Sequence, residues 1–146
     1  MKGEINSCGD EWVVDGDNRY LLVEQTLNWF DAQHYCKRCH SQLVEIDGAE
    51  KSSSLKTVLI NRKGVQNGLK DKYYYWTGGY GNGSHFVWSS SQSPVNFTDW
   101  DQTFYQDQGM MNYNGFCIQL RQIKDYQWDY IRCNQTVSFV CERPVN

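Results

Sequence analysis

The sequence predicts a single α+β domain. Three observations carry that expectation. Two capped, amphipathic segments lie in the first half, short β-rich runs crowd the second half, and the stretch from Ser89 to Gly115 shows almost no periodicity. At 146 residues the chain has one domain's length and can bury one core. No internal repeat or compositional shift divides it.

In chain order, Arg19 to Val23 reads as a first strand. Asn28 can cap a helix running to about Arg38, with Asp31 completing a capping-box-like pair. Spacings of three and four turn Trp29, Ala32, Tyr35, Cys36 and Cys39 toward the core. Gln42 to Ile46 alternates as a short strand. Asp47 and Glu50 form a second capping pair for a helix reaching toward Asn61, whose short apolar face is Leu55, Val58 and Leu59. Gly64 and Gly68 mark a loop. Tyr73 to Thr77 reads as a buried strand ended by Gly78-Gly79. A tight turn at Gly81-Asn82-Gly83-Ser84 leads into a strand at His85 to Trp88. Strands resume at Phe116–Leu120, Tyr126–Ile131 and Val137–Glu142. The segment between, 89–115, is too long for a structureless connector, and loops of that kind are functional or mobile.

Composition narrows the function classes. Six Trp, ten Tyr and six Phe favour a β-rich core of large rings. A net charge of −3 and a pI near 5.5 lack the basic stripe of a nucleic-acid surface. Six cysteines favour an oxidising compartment. Three sequons, at Asn82, Asn96 and Asn134, agree with a secreted, extracellular glycoprotein. No apolar run is long enough to span a membrane. Met1 to Asn6 has no apolar h-region, so the chain reads as a mature domain with an added start Met. Residues 1–7 are an N-terminal extension or expression remnant, and 8–146 the domain.

Ordered landmarks span nearly the whole chain. They are Trp29-Phe30-Asp31-Ala32-Gln33-His34-Tyr35-Cys36 on the first helix and Trp76-Thr77-Gly78-Gly79 in a core strand. Phe86-Val87-Trp88 and Trp100 precede the long loop. Cys117, Trp128, Cys133 and Cys141 close the set. Their shared order resembles the C-type lectin-like domain, and Phe86 to Ser90 with the first half is most similar to small secreted insect lectins. The resemblance implies a disulfide-stapled fold of two helices, short antiparallel sheets and a long loop. It also implies bridges Cys36–Cys141 and Cys117–Cys133. The first closes roughly a hundred residues, worth ~4–5 kcal/mol in the chain-entropy model. Long forms of the family carry a cysteine just before the first-strand aromatic. Here that position is Arg19, before Tyr20, which leaves Cys8 and Cys39. Either these two bridge, which the even count favours, or Cys8 joins another chain.

The resemblance also sets an expectation for calcium and sugar. The family's sugar-binding calcium takes oxygens from E-P-N or Q-P-D in the long loop, from a Glu two before the third landmark Cys, and from W-N-D. Counted from Trp100, the triplet falls on Phe104-Tyr105-Gln106; counted back from Cys117, on Asp107-Gln108-Gly109. Neither contains proline. The Glu position is Gly115, and W-N-D reads Trp128-Asp129-Tyr130. The degenerate motif implies no cofactor. A calcium site, if rebuilt, draws on Asp107 and Asp129 with Gln106, Gln108, Asn112 and Asn114. For a sugar ligand, Gln106, Asp107, Asn114 and Asp129 are the hydroxyl partners and Tyr105 the stacking platform. Phe104, Tyr105, Met110, Met111 and Tyr113 form either a contact surface or a small core under the loop. In the second arrangement Phe104 and Met111 turn in while Tyr105 and Tyr113 stay out.

Rival chemistries fit poorly. Cys36-Lys37-Arg38-Cys39-His40 matches the C-x-x-C-H haem pattern, but no helical scaffold surrounds it and four other cysteines stay unexplained. A redox pair needs a thioredoxin-like βαβ pattern, and zinc a second matched pair. His34 and His40 are six residues apart and share no helix face, and no G-x-S-x-G or H-E-x-x-H occurs. Asp99 and Asp101 read as turn formers. The expectation is therefore a non-enzymatic binding module that recognises carbohydrate or glycoconjugate through the 100–117 loop. The alternative is a protein partner at the same loop. A role in innate immunity follows from family analogy, and the sequence sets no oligomeric state.

Overall fold

The computed structural model describes residue 8 and residues 11–62, 73–103 and 112–145. Its elements are β1 (Val13–Asp15), β2 (Asn18–Leu27), α1 (Trp29–Arg38), β3 (Gln42–Leu43), α2 (Ala49–Ile60), β4 (Tyr74–Asn82), β5 (His85–Trp88), β6 (Phe116–Arg121), β7 (Gln127–Arg132) and β8 (Val137–Pro144). A 3₁₀ turn at Gln122–Lys124 links β6 to β7. The α+β expectation holds.

Most helix signals work as read, and one does not. The Asn28 side chain accepts the Asp31 N–H at 2.8 Å, starting α1. Trp29, Ala32, Cys36 and Cys39 are buried, and Tyr35 is half-buried. The Asp47–Glu50 pair does not cap α2. That helix begins at Ala49 behind Gly48, which has no side chain to offer. Burial of Leu55, Val58 and Leu59 holds α2 in place instead.

Strand boundaries shift where pairing overrides local pattern. The β1–β2 hairpin went unread, although Gly16 at φ +63 marks its turn. β2 outruns the expected Arg19–Val23 because it pairs with β8 from Asn18 to Leu27, with a register shift after Val23. The expected strand at Gln42–Ile46 shrinks to Gln42–Leu43, although the Val44 N–H still donates to the Val140 carbonyl at 3.0 Å. β4 continues through Gly78-Gly79 rather than stopping there. Tyr126 sits in the turn at φ +62, so β7 starts at Gln127. The Gly64–Gly68 loop lies outside the described residues.

The strands form one mixed sheet of eight strands rather than separate antiparallel sheets, in the order β1-β2-β8-β4-β6-β7, with β3 on β8 and β5 on β4. β4 and β8 run parallel. Alternation along the strands sorts two cores. Tyr20, Leu55, Leu59, Tyr75, Trp128 and Val140 gather in one, and Trp29, Ala32, Trp76, Phe139 and Cys141 in the other. The two indoles of the second core also make hydrogen bonds: Trp29 Nε1 donates to the Thr77 carbonyl at 2.8 Å, and Trp76 Nε1 to the Leu27 carbonyl at 2.9 Å.

All six cysteines pair within the chain, as Cys8–Cys39, Cys36–Cys141 and Cys117–Cys133. The bridge is thus the correct reading of Cys8, and the link to a second chain is not.

Gly81 lies on β4 against the Tyr113 backbone, and a Cβ there would overlap the Tyr113 carbonyl. Gly81→Ala should lower stability by about 1–3 kcal/mol through this overpacking. Urea denaturation of the variant beside wild type reads the loss.

Candidate functional site

The long loop departs from β5 and returns at β6. Its first leg is held from below by Glu45, a buried carboxylate that accepts the Ser90 and Ser91 N–H groups at 2.7 and 3.3 Å. The leg then turns back on β5, with Trp88 N–H to the Ser93 carbonyl at 2.9 Å and Val95 N–H to the Phe86 carbonyl at 3.0 Å. It rejoins the sheet at Trp100, which bridges Trp128. There the Asp101 N–H donates to the Trp128 carbonyl at 2.8 Å, and the Trp128 N–H to the Asp99 carbonyl at 2.9 Å.

An aromatic layer lies under this loop. Phe86 packs on Tyr113 at 4.8 Å, on Tyr130 at 5.4 Å and on Trp100 at 5.7 Å, and Tyr113 meets Tyr130 edge-on at 5.5 Å. Tyr113 therefore faces inward, against the expectation that it stays out. The ring finds its apolar neighbours on β5 and β7, which no local pattern connects to it.

The second leg is pinned to the β4–β5 turn. Tyr113 N–H donates to the Gly83 carbonyl at 2.7 Å, and Gly83 N–H donates to Asn114 Oδ1 at 2.9 Å. Asn112 Oδ1 accepts the Asn114 N–H at 2.9 Å. Of the expected ligand-binding residues, Asn114 is on the surface with its side-chain oxygen engaged in this clamp. Tyr105, Gln106 and Asp107 lie outside the described residues, as do Phe104, Gln108, Met110 and Met111.

Asp129 occupies a different setting. It is buried on β7, opposite Gln119 of β6. Its Oδ1 accepts from Gln119 Nε2 at 2.8 Å, and its Oδ2 stands 3.6 Å from Arg121 Nη1. The positive charge beside this carboxylate thus comes from the chain itself. Asn114 and Asp129 do not share a surface, one being exposed and the other buried. Arg121 and Gln119 were missed by sequence reasoning. The signal was available in the alternation of Phe116–Arg121 against Gln127–Arg132, which places Gln119 across from Asp129.

Arg121 also acts on Asp101. Burial alone would raise this carboxyl, but the Thr103 N–H and hydroxyl, at 2.9 and 2.8 Å, together with Lys124 and Arg121, hold it below the ordinary carboxylate value. Burial also raises the Tyr75 hydroxyl well above its usual range and the Tyr126 hydroxyl to about 12, so both phenols stay neutral. Among the described residues, no group of three or more His, Cys, Asp or Glu is placed to hold a metal ion. Cys36 and Cys39 are both in disulfides, so neither is a thiol for haem attachment, redox exchange or zinc.

Comparison with known proteins agrees with this architecture. The lectin C-type domain model matches residues 25–143. Lectin subunit alpha of Sarcophaga peregrina is 28% identical over 89% of this chain, and the chain spans 46% of that protein's length. Snaclec bothroinsularin subunit beta of Bothrops insularis is 24% identical, covering 92% of this chain and 97% of the relative. Among solved structures, the SPL-1 complex with GlcNAc superposes with a TM-score of 0.72 at 21% identity, covering 95% of this chain and 96% of that one. At that identity the likeness concerns the fold.

A carboxyl held low in the folded state adds stability above its ordinary range and loses it as pH falls through its folded value. Asp101→Asn should therefore lower stability by about 1–2 kcal/mol at pH 7, and the gap to wild type should close toward pH ~2. Urea midpoints at the two pH values test this; a gap that persists in acid removes the Asp101 charge as the cause.

Proposed function

Since this chain belongs to the C-type lectin domain family, we propose that it is an extracellular binding module taking a carbohydrate or glycoconjugate at its 100–117 loop without help from calcium. The observation that carries the reading is the Asp129–Arg121 pair. Asp129 stands in the middle place of the family's W-N-D triplet, with Tyr130 where the Asp would be, and a guanidinium from the neighbouring strand stands beside its charge. A loop built on that base needs no dissolved cation to offset the carboxylate.

On this reading the ligand meets the outer rim of the loop. Tyr105 stacks on a sugar face, Gln106, Asp107 and the Asn114 amide reach hydroxyls, and Asp129 works from beneath by fixing the base. The name of the Sarcophaga peregrina lectin subunit supports a sugar ligand. The three disulfides and the exposed sequon asparagines 82, 96 and 134 support a secreted glycoprotein. No helix among the described residues is long and apolar enough to cross a membrane. Recognition of a protein partner is the second reading. The likeness to a snaclec subunit favours it, as does the aromatic and Met content of 104–113. Surveillance of foreign glycans would place the protein in innate immunity.

A glycan array with and without chelator tests the proposal. Binding that survives chelator, and that weakens by about 1 kcal/mol in Tyr105→Ala, is the expected result. Loss of all binding in chelator would return the mechanism to calcium, and calorimetric titration of calcium into wild type, Asp107→Asn and Asp129→Asn would then test those carboxylates as its ligands. An empty array alongside a bound protein partner would favour the second reading.

A further inference from the structure

We propose a second ligand site, separate from the 100–117 stretch: a crevice where α1, β3 and β8 meet, binding a sugar chain that carries sulfate esters. The crevice encloses about 480 Å³ and is lined by Lys37, Lys51, Arg143 and His40, with Ser41 and Gln42 between them. Three permanent cations thus face one carboxylate, Glu142, in a chain whose net charge is −3.

Two features argue against a positive field here, and the structure answers both. Glu142 also lines the crevice, where it cancels Lys51 and leaves Lys37 and Arg143 as the uncompensated cations. It pairs with Lys51 at 2.6 Å and accepts from Gln42 Nε2 at 3.1 Å and the Glu45 N–H at 2.9 Å. The C-terminus of α1 points here too, and unpaired carbonyls would repel an anion. Those carbonyls are taken. Cys36 O accepts from the Cys39 N–H, the Ser41 N–H and the Ser41 hydroxyl, and Lys37 O accepts from the His40 N–H.

The cations are also pre-set. Arg143 Nη1 donates to the Cys39 carbonyl at 3.2 Å, and its guanidinium lies 4.3 Å over the Trp12 ring. Lys51 is fixed by Glu142. Lys37 and His40 are exposed, and neither has a side-chain partner among the described residues. An oxyanion entering the crevice therefore meets one held net charge, Arg143, and two free donors, an arrangement that favours charge-assisted hydrogen bonds at low ordering cost. Ser41, Gln42 and Asn18 add neutral groups suited to sugar hydroxyls. A single crevice without a basic stripe does not suit a nucleic acid or an anionic membrane. In the sheet β8 is separated from β7 by β4 and β6, so the crevice lies about 14 Å or more from the Asp129 base.

Calorimetric titration of the intact protein with a heparin-derived sulfated tetrasaccharide tests the site. Wild type should bind it, and more weakly as salt rises from about 0.05 M to about 0.5 M. Lys37→Glu should weaken binding by about tenfold. Arg38→Glu makes the same charge change one residue away, outside the crevice lining, and should stay within about twofold. The desulfated tetrasaccharide and inorganic phosphate should bind far more weakly. No binding by wild type, equal binding of the desulfated sugar or of a short oligonucleotide, or equal losses in the two variants would overturn the proposal. Tyr105→Ala should leave this binding unchanged, so the loop reading and the crevice reading fail independently.

Discussion

The bond between Cys36 and Cys141 is the constraint on which the rest of the fold leans. Cys141 lies on β8, and β8 pairs with β2, β3 and β4. Cys36 lies in the last turns of α1. One covalent link therefore joins the helix to the strand that organises the sheet, across a sequence separation of 105 residues. In the chain-entropy view a closure of that length is worth ~4–5 kcal/mol, a large part of the stability of a small domain. Trp29 and Trp76 reinforce the same junction. Each buries an indole and hands its one donor to a backbone carbonyl of the other's neighbourhood.

With the core secured, the long loop needs few regular hydrogen bonds. It is carried by three supports of different chemistry. Glu45 receives two N–H groups of its first leg, an aromatic layer from Phe86 to Tyr130 fills the space below, and Gly83 with Asn114 ties down its second leg. The scaffold thus sets the path of the loop's two described legs. Glu142 plays a parallel part at the other edge. It is a buried carboxylate whose partners, Lys51, Gln42 and the Glu45 N–H, join α2 and β3 to β8.

Much of the scaffold was legible because its signals are local. Asn28 and Asp31 announce α1, the landmark residues keep their order, and an even cysteine count anticipates closed pairing. What stayed hidden depends on pairings that no single segment's pattern shows. The two-strand N-terminal hairpin is too short to show a pattern, and its Asp15-Gly16 turn was the one readable cue. Asp47 looks like a cap, but tertiary packing sets where α2 begins, and it begins one residue past Gly48. Tyr113 has no periodic partner, and only the sheet brings Phe86 and Tyr130 beneath it. The site was read least well. Asp129 was recognised by its place after Trp128, yet its counterion sits on β6, eight positions earlier in the chain, and emerges only from the pairing of two strands.

The Asp129–Arg121 pair has a wider consequence. A bound ion belongs to the medium: it can be diluted, competed for or stripped away. A guanidinium belongs to the gene. The positive charge at the base of this loop is accordingly inherited rather than supplied. What the pair keeps constant is its proximity: the guanidinium stays beside the carboxylate whatever ions are dissolved around it.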